Sequence, residues 1–477
     1  MERILSSKQM RDADRFTIDK LGVSEDVLVL RAGKAVAEEI KKRFNGGRVL
    51  VCVGNGNNGA DGRIVAKELC NTKTFSVAVF DISDGLNELL DEKYDVIVDC
   101  LFGTGLNREI TGEYLKIIKK INSSDAFVVS CDIPSGLNAD AGKPMAVAVK
   151  ANLTVAIQEY KLGHFLNDGP DFTGEIISKD IGISLLDDKF VYKIDNNCVK
   201  QLFKPRCRNS NKGSYGKTAI IGGSKNFTGS VILSTNSLCA LKTGVGYATL
   251  VVPESLFSSY VGKVPECILK SFLDSEEISD FTFLKQLFSH NSIAVGMGMG
   301  VSENTYKIIR YLLENYTGKL LIDADGLNSL ATFGVDVLLN KKAQVVLTPH
   351  IVEFSRLSGL NKAEIIENTI KSALDFANKY GVTLVLKNAV SVITNGDEII
   401  LNTTGCPAMA KAGSGDVLSG IIAGLLARTD NVLNACAVGC YLFGKSGEIA
   451  VLEQNEYTVT ATDIINCLTK AITVSTL

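Results

Sequence analysis

The chain has 477 residues, 46% of them hydrophobic and 22% charged, with a formal net charge of −3 at pH 7. Because single domains usually contain about 100–200 residues, this length predicts two or three domains that each bury a core. The apolar fraction excludes a disordered chain, and the near-neutral charge argues against a basic nucleic-acid-binding surface. The apolar runs read as shorter than the roughly 18 residues that a membrane-spanning helix needs.

The cysteine and histidine content argues against disulfides and metal clusters. The twelve cysteines include no C-x-x-C pair and several lie in apolar runs, so they are interpreted as small buried side chains in a reducing cytoplasm. Three histidines are too few for a histidine-rich metal cluster. The first residues, Met1–Ser6, lack the apolar segment of a signal peptide. We therefore expect a cytoplasmic protein that acts on small molecules and binds neither nucleic acid nor membranes.

Short apolar runs alternate with longer segments of helical periodicity, which predicts an α/β fold whose parallel strands are covered by helices. The predicted strands are Val49–Val53, Phe75–Phe80, Val96–Asp99, Phe127–Val129, Thr218–Ile221, Ala248–Val252, Ser292–Val295, Leu320–Ile322, Val345–Leu347 and Val382–Leu386. The predicted helices include Ala32–Arg43, Ile64–Cys70, Tyr114–Ile121, Val231–Lys242 and Leu418–Ala427. The polar, basic stretch Lys204–Gly213 predicts a boundary between a domain of residues 1–205 and one of residues 206–477.

A glycine-rich loop, Gly54–Gly62, follows the first of these predicted strands and precedes a helix. It contains the G-x-G-x-x-G spacing of dinucleotide-binding folds, and Asp81 closes the next strand where a ribose-binding acid would lie. A nicotinamide-dependent dehydrogenase is therefore one interpretation. The loop also carries the polar side chains of Asn57, Asn58 and Asp61, which favour a hard cation or a polar ligand instead.

Two further strands end in similar polar, glycine-containing loops. The strand that closes with Asp99 continues into Cys100-Leu101-Phe102-Gly103-Thr104-Gly105, and the strand that closes with Asp132 continues into Ile133-Pro134-Ser135-Gly136-Leu137-Asn138. Because the carboxyl ends of parallel strands meet at one edge of a sheet, we expect these loops to lie beside the first one.

These three motifs together resemble the YjeF N-terminal domain family, the epimerases of hydrated nicotinamide nucleotides, over roughly residues 1–200. The first motif departs from the family once, with Ala60 in place of a glycine. The resemblance implies a Rossmann-like three-layer domain in which Asn58, Asp99 and Ser135 coordinate a potassium ion. It implies Asp132 as the catalytic group, and a positioned carboxyl can serve first as acid and then as base while the hydroxyl at C6 leaves and returns. The implied substrate-binding residues are Asn57, Asn58, Gly59, Ala60, Asp61, Gly103, Thr104, Gly105 and Asp132.

A second glycine-rich motif, Gly413-Ser414-Gly415-Asp416, opens an apolar helix in the C-terminal half. Small residues at a helix start leave backbone N–H groups free to bind an anion. Asp416 at that position could take a proton from a hydroxyl that faces a transferred phosphoryl group. The simpler interpretation is a helix-capping aspartate.

The motifs around this segment are similar to the ribokinase-like fold and, within it, to the YjeF C-terminal domain family, the dehydratases of hydrated NADH and NADPH. The resemblance covers about residues 211–477, and the shared motifs are Gly213–Lys217, Gly222–Ser224, Thr228–Ser230, Lys242–Gly246, Gly296–Gly300, Asp323–Asn328 and Thr348–His350. The chain departs from the family at Ile351-Val352-Glu353, where Pro-Gly-Glu is usual, and at Ser230, where alanine is common.

This second resemblance implies a hydrate pocket and a nucleotide site. The hydrate pocket would be lined by Ser230, Gly298, His350 and the catalytic Asp416. The nucleotide site would be formed by Lys387, Asn388, Ala389, Val390, Ser391 and Gly415. ADP is the implied co-substrate, with magnesium screening its phosphates and with AMP and phosphate released.

A literal phosphate-loop match, Gly439-Cys440-Tyr441-Leu442-Phe443-Gly444-Lys445-Ser446, is interpreted as helix instead, because the surrounding pattern is apolar and helical and no strand precedes it. The sequence as a whole favours a bifunctional repair enzyme for hydrated NAD(P)H. The family resemblance alone implies assembly from identical subunits. Two alternatives stay open: a ribokinase-like small-molecule kinase with an accessory N-terminal half, and a binding or scaffold module.

Overall fold

The structure is a computed structural model that describes residues 1–84, 92–186, 189–236, 242–274 and 277–477. It divides into an N-terminal unit, Arg3–Val191, and a C-terminal unit formed by Tyr192–Leu477 with Met1–Glu2. This division precedes the boundary predicted at residues 205 and 206. The reason is that the helix Asn196–Leu202 contributes Cys198 and Val199 to the core of the C-terminal unit.

The elements alternate along the chain as expected for an α/β protein. The strands are β1 Glu2–Leu5, β2 Gly47–Val53, β3 Phe75–Asp81, β4 Val96–Cys100, β5 Phe127–Cys131, β6 Leu153–Ile157, β7 Tyr160–Lys161, β8 Glu175–Lys179, β9 Val191–Lys193, β10 Lys217–Ile221, β11 Tyr247–Pro253, β12 Ile268–Phe272, β13 Ser292–Val295, β14 Lys319–Ile322, β15 Gln344–Leu347, β16 Thr383–Leu386, β17 Ser391–Thr394 and β18 Ile399–Asn402. The helices are α1 Ser7–Asp19, α2 Glu25–Arg43, α3 Asn57–Cys70, α4 Gly112–Asn122, α5 Pro170–Thr173, α6 Asn196–Leu202, α7 Thr228–Thr235, α8 Phe257–Tyr260, α9 Thr282–Lys285, α10 Glu303–Asn315, α11 Asp325–Phe333, α12 Ile351–Ser358, α13 Lys362–Glu367, α14 Thr369–Tyr380, α15 Ser414–Leu426, α16 Val432–Glu453 and α17 Ala461–Thr476.

The N-terminal unit is built on a six-stranded parallel sheet in the order β3-β2-β4-β5-β6-β8. Alternate residues of β2 enter two different cores. Val49, Val51 and Val53 pack with helices α1, α2 and α3, whereas Leu50 and Cys52 pack with α4. Because side chains of a strand point alternately to its two faces, the sheet is covered on both sides, which confirms the predicted three-layer α/β fold.

Close packing explains two glycines of the first loop. A Cβ atom on Gly59 would lie 1.9 Å from the carbonyl oxygen of Gly54, and one on Gly62 would lie 2.8 Å from the Cβ of Cys100. Helix α3 therefore begins in direct contact with the ends of β2 and β4, so that its first turn reaches the carboxyl edge of the sheet.

The C-terminal unit contains a sheet in the order β12-β11-β10-β13-β14-β15-β16-β17-β18-β9. The six strands from β10 to β15 pair in parallel with their neighbours, as does β16 with β15, whereas β17 is antiparallel to both β16 and β18. All ten predicted strands of the chain are present, and in this unit β9, β12, β17 and β18 are additions to that prediction. Helices α15, α16 and α17 supply most of the large core that covers the sheet.

Helix α16 contains the whole of the literal phosphate-loop match, which confirms its interpretation as helix. By length and composition alone, with a mean hydropathy of 1.3, this helix could cross a membrane. The apolar runs of the sequence predicted no segment of that length. However, 67% of that window is buried in the domain, which is the burial of a core helix. Helix α7 covers only the start of the predicted Val231–Lys242 helix, of which residues 237–241 lie outside the described part of the chain.

Candidate active sites

A cavity of about 660 Å³ opens at the carboxyl edge of the N-terminal sheet. It is enclosed by helices α1 and α2, the start of α3 and the loops that follow β4 and β5. The predicted substrate-binding residues that line it are Asn57, Asn58, Asp61, Gly103, Thr104, Gly105 and Asp132. Gly59 and Ala60 are not part of the lining, and Gly59 instead faces the backbone of Gly54.

The three predicted potassium ligands form a connected, buried cluster beside this cavity. Asp99 is fully buried, and its Oδ2 accepts hydrogen bonds of 2.8 Å from the Ser135 N–H and from the Ser130 hydroxyl. Burial raises the pKa of Asp99 above its ordinary value. Asn58 donates to the carbonyl oxygen of Phe102 at 2.6 Å, while its own Oδ1 is buried and has no hydrogen-bond partner among the described residues. An orphaned amide oxygen beside a buried carboxylate fits a cation that prefers oxygen ligands.

Asp132 lies directly after β5 in the left-handed backbone region, with a φ of 68°. Its Oδ1 accepts hydrogen bonds from the ammonium group of Lys161 and, at 3.2 Å, from the Ile157 N–H. Lys161 is fully buried and also donates to the carbonyl oxygen of Ile157 at 2.6 Å. The Asp132 carboxyl is thus held by a cation and by a backbone donor. Sequence analysis missed Lys161, since nothing in its spacing relates it to Asp132.

His164 connects the backbones of Lys161 and Asp132. Its Nδ1 accepts a hydrogen bond of 3.1 Å from the Lys161 N–H, and its Nε2 lies 2.9 Å from the carbonyl oxygen of Asp132. The two partners assign the proton to Nε2. Burial, together with the nearby ammonium of Lys161, lowers the pKa of His164 to about 3, so the ring stays neutral.

Two more carboxyl groups face the cavity and have raised pKa values. Burial, with the charges of Asp132 and Asp14, raises the pKa of Asp61 to about 8. Burial, with the charge of Asp132, raises the pKa of Asp14 to about 6. Asp14 comes from α1 and was not among the predicted site residues. Carboxyl groups shifted in this way are typical of acid–base sites.

In the C-terminal unit, helix α15 begins after Gly413, which adopts a left-handed φ of 89°. Asp416 lies in its first turn, and Asp416 Oδ1 accepts a hydrogen bond of 2.6 Å from the Ser230 hydroxyl. Burial raises the pKa of Asp416 to about 6, although Ser230 opposes the shift. The structure therefore brings Ser230 and Asp416 together. Because Asp416 accepts a hydrogen bond from a side chain of α7, it does more than cap its own helix.

A half-buried lysine, Lys387, faces the same helix start. Lys387 Nζ lies 3.1 Å from Asp323 Oδ1, and it is 3.5 Å from where a Cβ on Gly415 would be. Burial alone would lower the pKa of Lys387, but the carboxylates of Asp323 and Glu353 outweigh it and raise that pKa. Asp323, only 2% exposed, also accepts a hydrogen bond from the Ser419 hydroxyl. Asp323 belonged to a recognised motif, but its role in holding Lys387 was not predicted.

His350 begins helix α12 and caps it. Its Nδ1 accepts hydrogen bonds from the N–H groups of Val352 at 3.1 Å and Glu353 at 3.3 Å, and the Glu353 carboxylate accepts one from the His350 N–H at 2.9 Å. The capping box is complete despite Ile351 and Val352. Burial, with the charge of Lys387, lowers the pKa of His350, and burial raises that of Glu353 to about 7.

The remaining predicted residues of this site lie on two loops or at the end of one of them. Gly298 adopts a φ of 64°, and a Cβ there would lie 3.0 Å from the Cβ of Ser230. Asn388, Ala389 and Val390 connect β16 to β17, which starts at Ser391. The loop is anchored to the histidine segment by the Lys387 N–H, which donates to the carbonyl oxygen of Pro349 at 2.8 Å.

Comparison with known proteins gives matches over both units. Residues 218–470 match the family described as NAD(P)H-hydrate dehydratase, and residues 25–86 and 75–163 match the family described as YjeF-related protein N-terminus. The chain is 33% identical to the bifunctional NAD(P)H-hydrate repair enzyme of Thermofilum pendens, over 98% of this chain and 96% of that one. The chain belongs to this family. The corresponding enzyme of Moorella thermoacetica is 32% identical over 98% of this chain and 96% of its own length.

Solved structures resemble the C-terminal part of this family member. The ADP/ATP-dependent NAD(P)H-hydrate dehydratase of Bacillus subtilis, co-crystallised with ATP and Mg²⁺, is 24% identical, with a TM-score of 0.51 over 60% of this chain and 99% of that chain. A ribokinase-like superfamily protein of Enterococcus faecalis is 25% identical, with a TM-score of 0.53 over 61% of this chain and 98% of that chain. These similarities confirm the ribokinase-like fold predicted for the C-terminal half.

Proposed function

We propose that the chain repairs hydrated NADH and NADPH in two steps. The N-terminal unit epimerises the (6R) hydrate to the (6S) hydrate, and the C-terminal unit dehydrates the (6S) form with ADP, releasing AMP and phosphate. The observation that carries the proposal is the full-length family match combined with the Ser230–Asp416 pair at the start of α15. Small molecules are the partners of both steps.

The N-terminal chemistry follows from an acid–base group beside a polar cavity. The hydrate carries its hydroxyl on C6, next to the ring nitrogen, so loss of that hydroxyl leaves an iminium ion that water can attack from the other face. Asp132 is positioned to take part in these proton transfers. Asn58, Asp99 and Ser135 would hold potassium, whose charge would help bind the phosphates of the substrate.

The C-terminal chemistry follows from a base at a helix start. Asp416 would take the proton of the C6 hydroxyl while the oxygen attacks the terminal phosphoryl group of ADP, which turns the hydroxyl into a phosphate leaving group. The N–H group of Gly415 at this helix start would bind the developing negative charge, and Lys387 adds a positive charge. Magnesium, when bound with the nucleotide, supplies charge neutralisation.

The test is to incubate acid-hydrated NADH with the protein, ADP, magnesium and potassium, and to follow the return of NADH absorbance together with AMP and free phosphate. Recovery of absorbance with one phosphate released per NADH supports the proposal. No recovery with ADP or ATP would refute the dehydratase. A small-molecule kinase would instead keep the phosphate on its product. A cytoplasmic location and assembly from identical subunits remain predictions.

A further inference from the structure

The carboxyl groups of Asp61 and Asp132 face the same N-terminal cavity but have opposite hydrogen-bonding environments. Asp132 is bonded to the Lys161 ammonium and to the Ile157 N–H. Asp61, one turn into α3 and 9% exposed, has no ion pair or N–H donor among the described residues. Among the described residues, the Cys131 thiol is the hydrogen-bond donor to this carboxyl group, with 4.0 Å between Sγ and Asp61 Oδ2. A buried carboxyl without a cation is most stable with its proton on.

The other charged residues around the cavity do not offset the cost of burying a negative charge on Asp61. The remaining charged residues of the lining are Arg11, Asp14, Glu25 and Arg108, besides Lys161 and Asp132. The groups that act on the pKa of Asp61 are the carboxylates of Asp132 and Asp14, and both raise it. The buried ammonium of Lys161 is bonded to Asp132 and to a backbone carbonyl, and His164 is neutral. Of the two carboxyl groups, Asp132 therefore has a cation partner, whereas Asp61 is buried without one among the described residues.

We propose that Asp61 and Asp132 divide the proton transfers of the epimerisation, with Asp61 as the acid and Asp132 as the base, and that Lys161 is the positioning residue that assigns these roles. The inference rests on the proposed epimerase function. It assigns the donation and the removal of a proton to two carboxyl groups, where a single carboxyl would have to act first as acid and then as base.

The proton balance of this arrangement is complete. Asp61 gives its proton to the C6 hydroxyl, the C–O bond breaks with its electron pair leaving on water, and the lone pair of the ring nitrogen forms the C=N bond of the iminium ion. A water molecule then attacks C6 from the opposite face and gives a proton to Asp132. Asp61 ends as carboxylate and Asp132 as acid, and exchange with solvent resets both. The reverse reaction uses the two groups in exchanged roles.

The experiment uses the full chain carrying Asp416→Asn, so that the hydrate accumulates and the conversion of the R to the S form can be followed by chromatography. In this background, Asp61→Asn is expected to lower kcat about 100-fold or more with little change in KM. The parent rate should fall as the pH rises above about 8, because Asp61 must be protonated, and Asp61→Asn should lack this alkaline limb. Asp171→Asn, an exposed aspartate outside the cavity, is the control and should keep the parent profile.

Three further variants separate the roles from effects on folding. Asp61→Glu keeps a carboxylic acid and should retain the alkaline limb at a lower kcat. Lys161→Gln should lower kcat with little change in KM, because Asp132 loses the ammonium that holds its Oδ1, and Lys161→Arg should restore kcat in part. An Asp61→Asn variant with the parent kcat or the parent alkaline limb overturns the inference alone. Absence of interconversion in the parent chain overturns the proposed function as well.

Discussion

Gly298→Ala should disable the dehydratase, and the structure sets the size of the effect. Gly298 has a φ of 64°, and an added Cβ would lie 2.7 Å from the Phe227 carbonyl oxygen and 3.0 Å from the Cβ of Ser230. The left-handed backbone costs alanine about 1–2 kcal/mol, and the overlap adds about 1–3 kcal/mol. Relief of the overlap has to move Ser230, which breaks its hydrogen bond to Asp416. Dehydration should therefore fall while epimerisation is unchanged.

Gly300→Ala is the matched control, because Gly300 has a φ of 79° but a Cβ there would have no atom within 4 Å. It carries the same backbone strain without the overlap. Urea unfolding followed by circular dichroism should place the C-terminal transition of Gly298→Ala about 1–3 kcal/mol below that of Gly300→Ala. The return of NADH absorbance with ADP measures activity. Equal unfolding free energies and equal repair rates for the two variants would refute the reasoning.

Four further outcomes are expected. Asp416→Asn should abolish the return of NADH absorbance, whereas Asp132→Asn should leave the R hydrate unrepaired; prompt clearance of both epimers by Asp132→Asn would contradict its role. Because Asp416 has a pKa of about 6 and a base must be ionised, the dehydration rate should fall as the pH drops below that value, and a profile that stays flat there would exclude it as the base. Replacing potassium with lithium should slow epimerisation but leave dehydration unchanged, and Asn58→Leu should remove this dependence; an equal effect on both reactions would argue against the ion site. Lys387→Met should raise the KM for ADP and Lys445→Met should not, as measured by initial rates; the opposite order would return the phosphate-loop match to consideration.

Local pattern was sufficient for the elements that carry the sites. Continuous apolar runs predicted β2, β4 and β5, whose carboxyl ends carry the loops of the N-terminal cavity, because strands buried on both faces need apolar residues at every position. An apolar, helical pattern likewise predicted that the phosphate-loop match lies in a helix, which is α16. Strands β17 and β18 were missed because they continue the sheet in antiparallel pairs, which local composition does not reveal.

The contacts that set protonation were beyond sequence reasoning. Lys161 is 29 residues from Asp132 and Asp323 is 64 residues from Lys387, and neither pair follows a helical or strand period. Asp61 was predicted as a polar loop residue, but its raised pKa depends on its burial and on the nearby charges of Asp132 and Asp14. The cap made by His350 depends on the ring orientation, which no spacing specifies.

The sequence by itself determined the α/β architecture, the two glycine-rich motifs and, through family resemblance, the pairing of an epimerase with a dehydratase. Only the tertiary structure decided that the division falls after Val191, that Lys161 neutralises Asp132 and that Asp61 is left without a cation. The physical reason is that periodicity reports which side of an element is buried, whereas the charge state of a buried group depends on atoms that folding brings from distant parts of the chain.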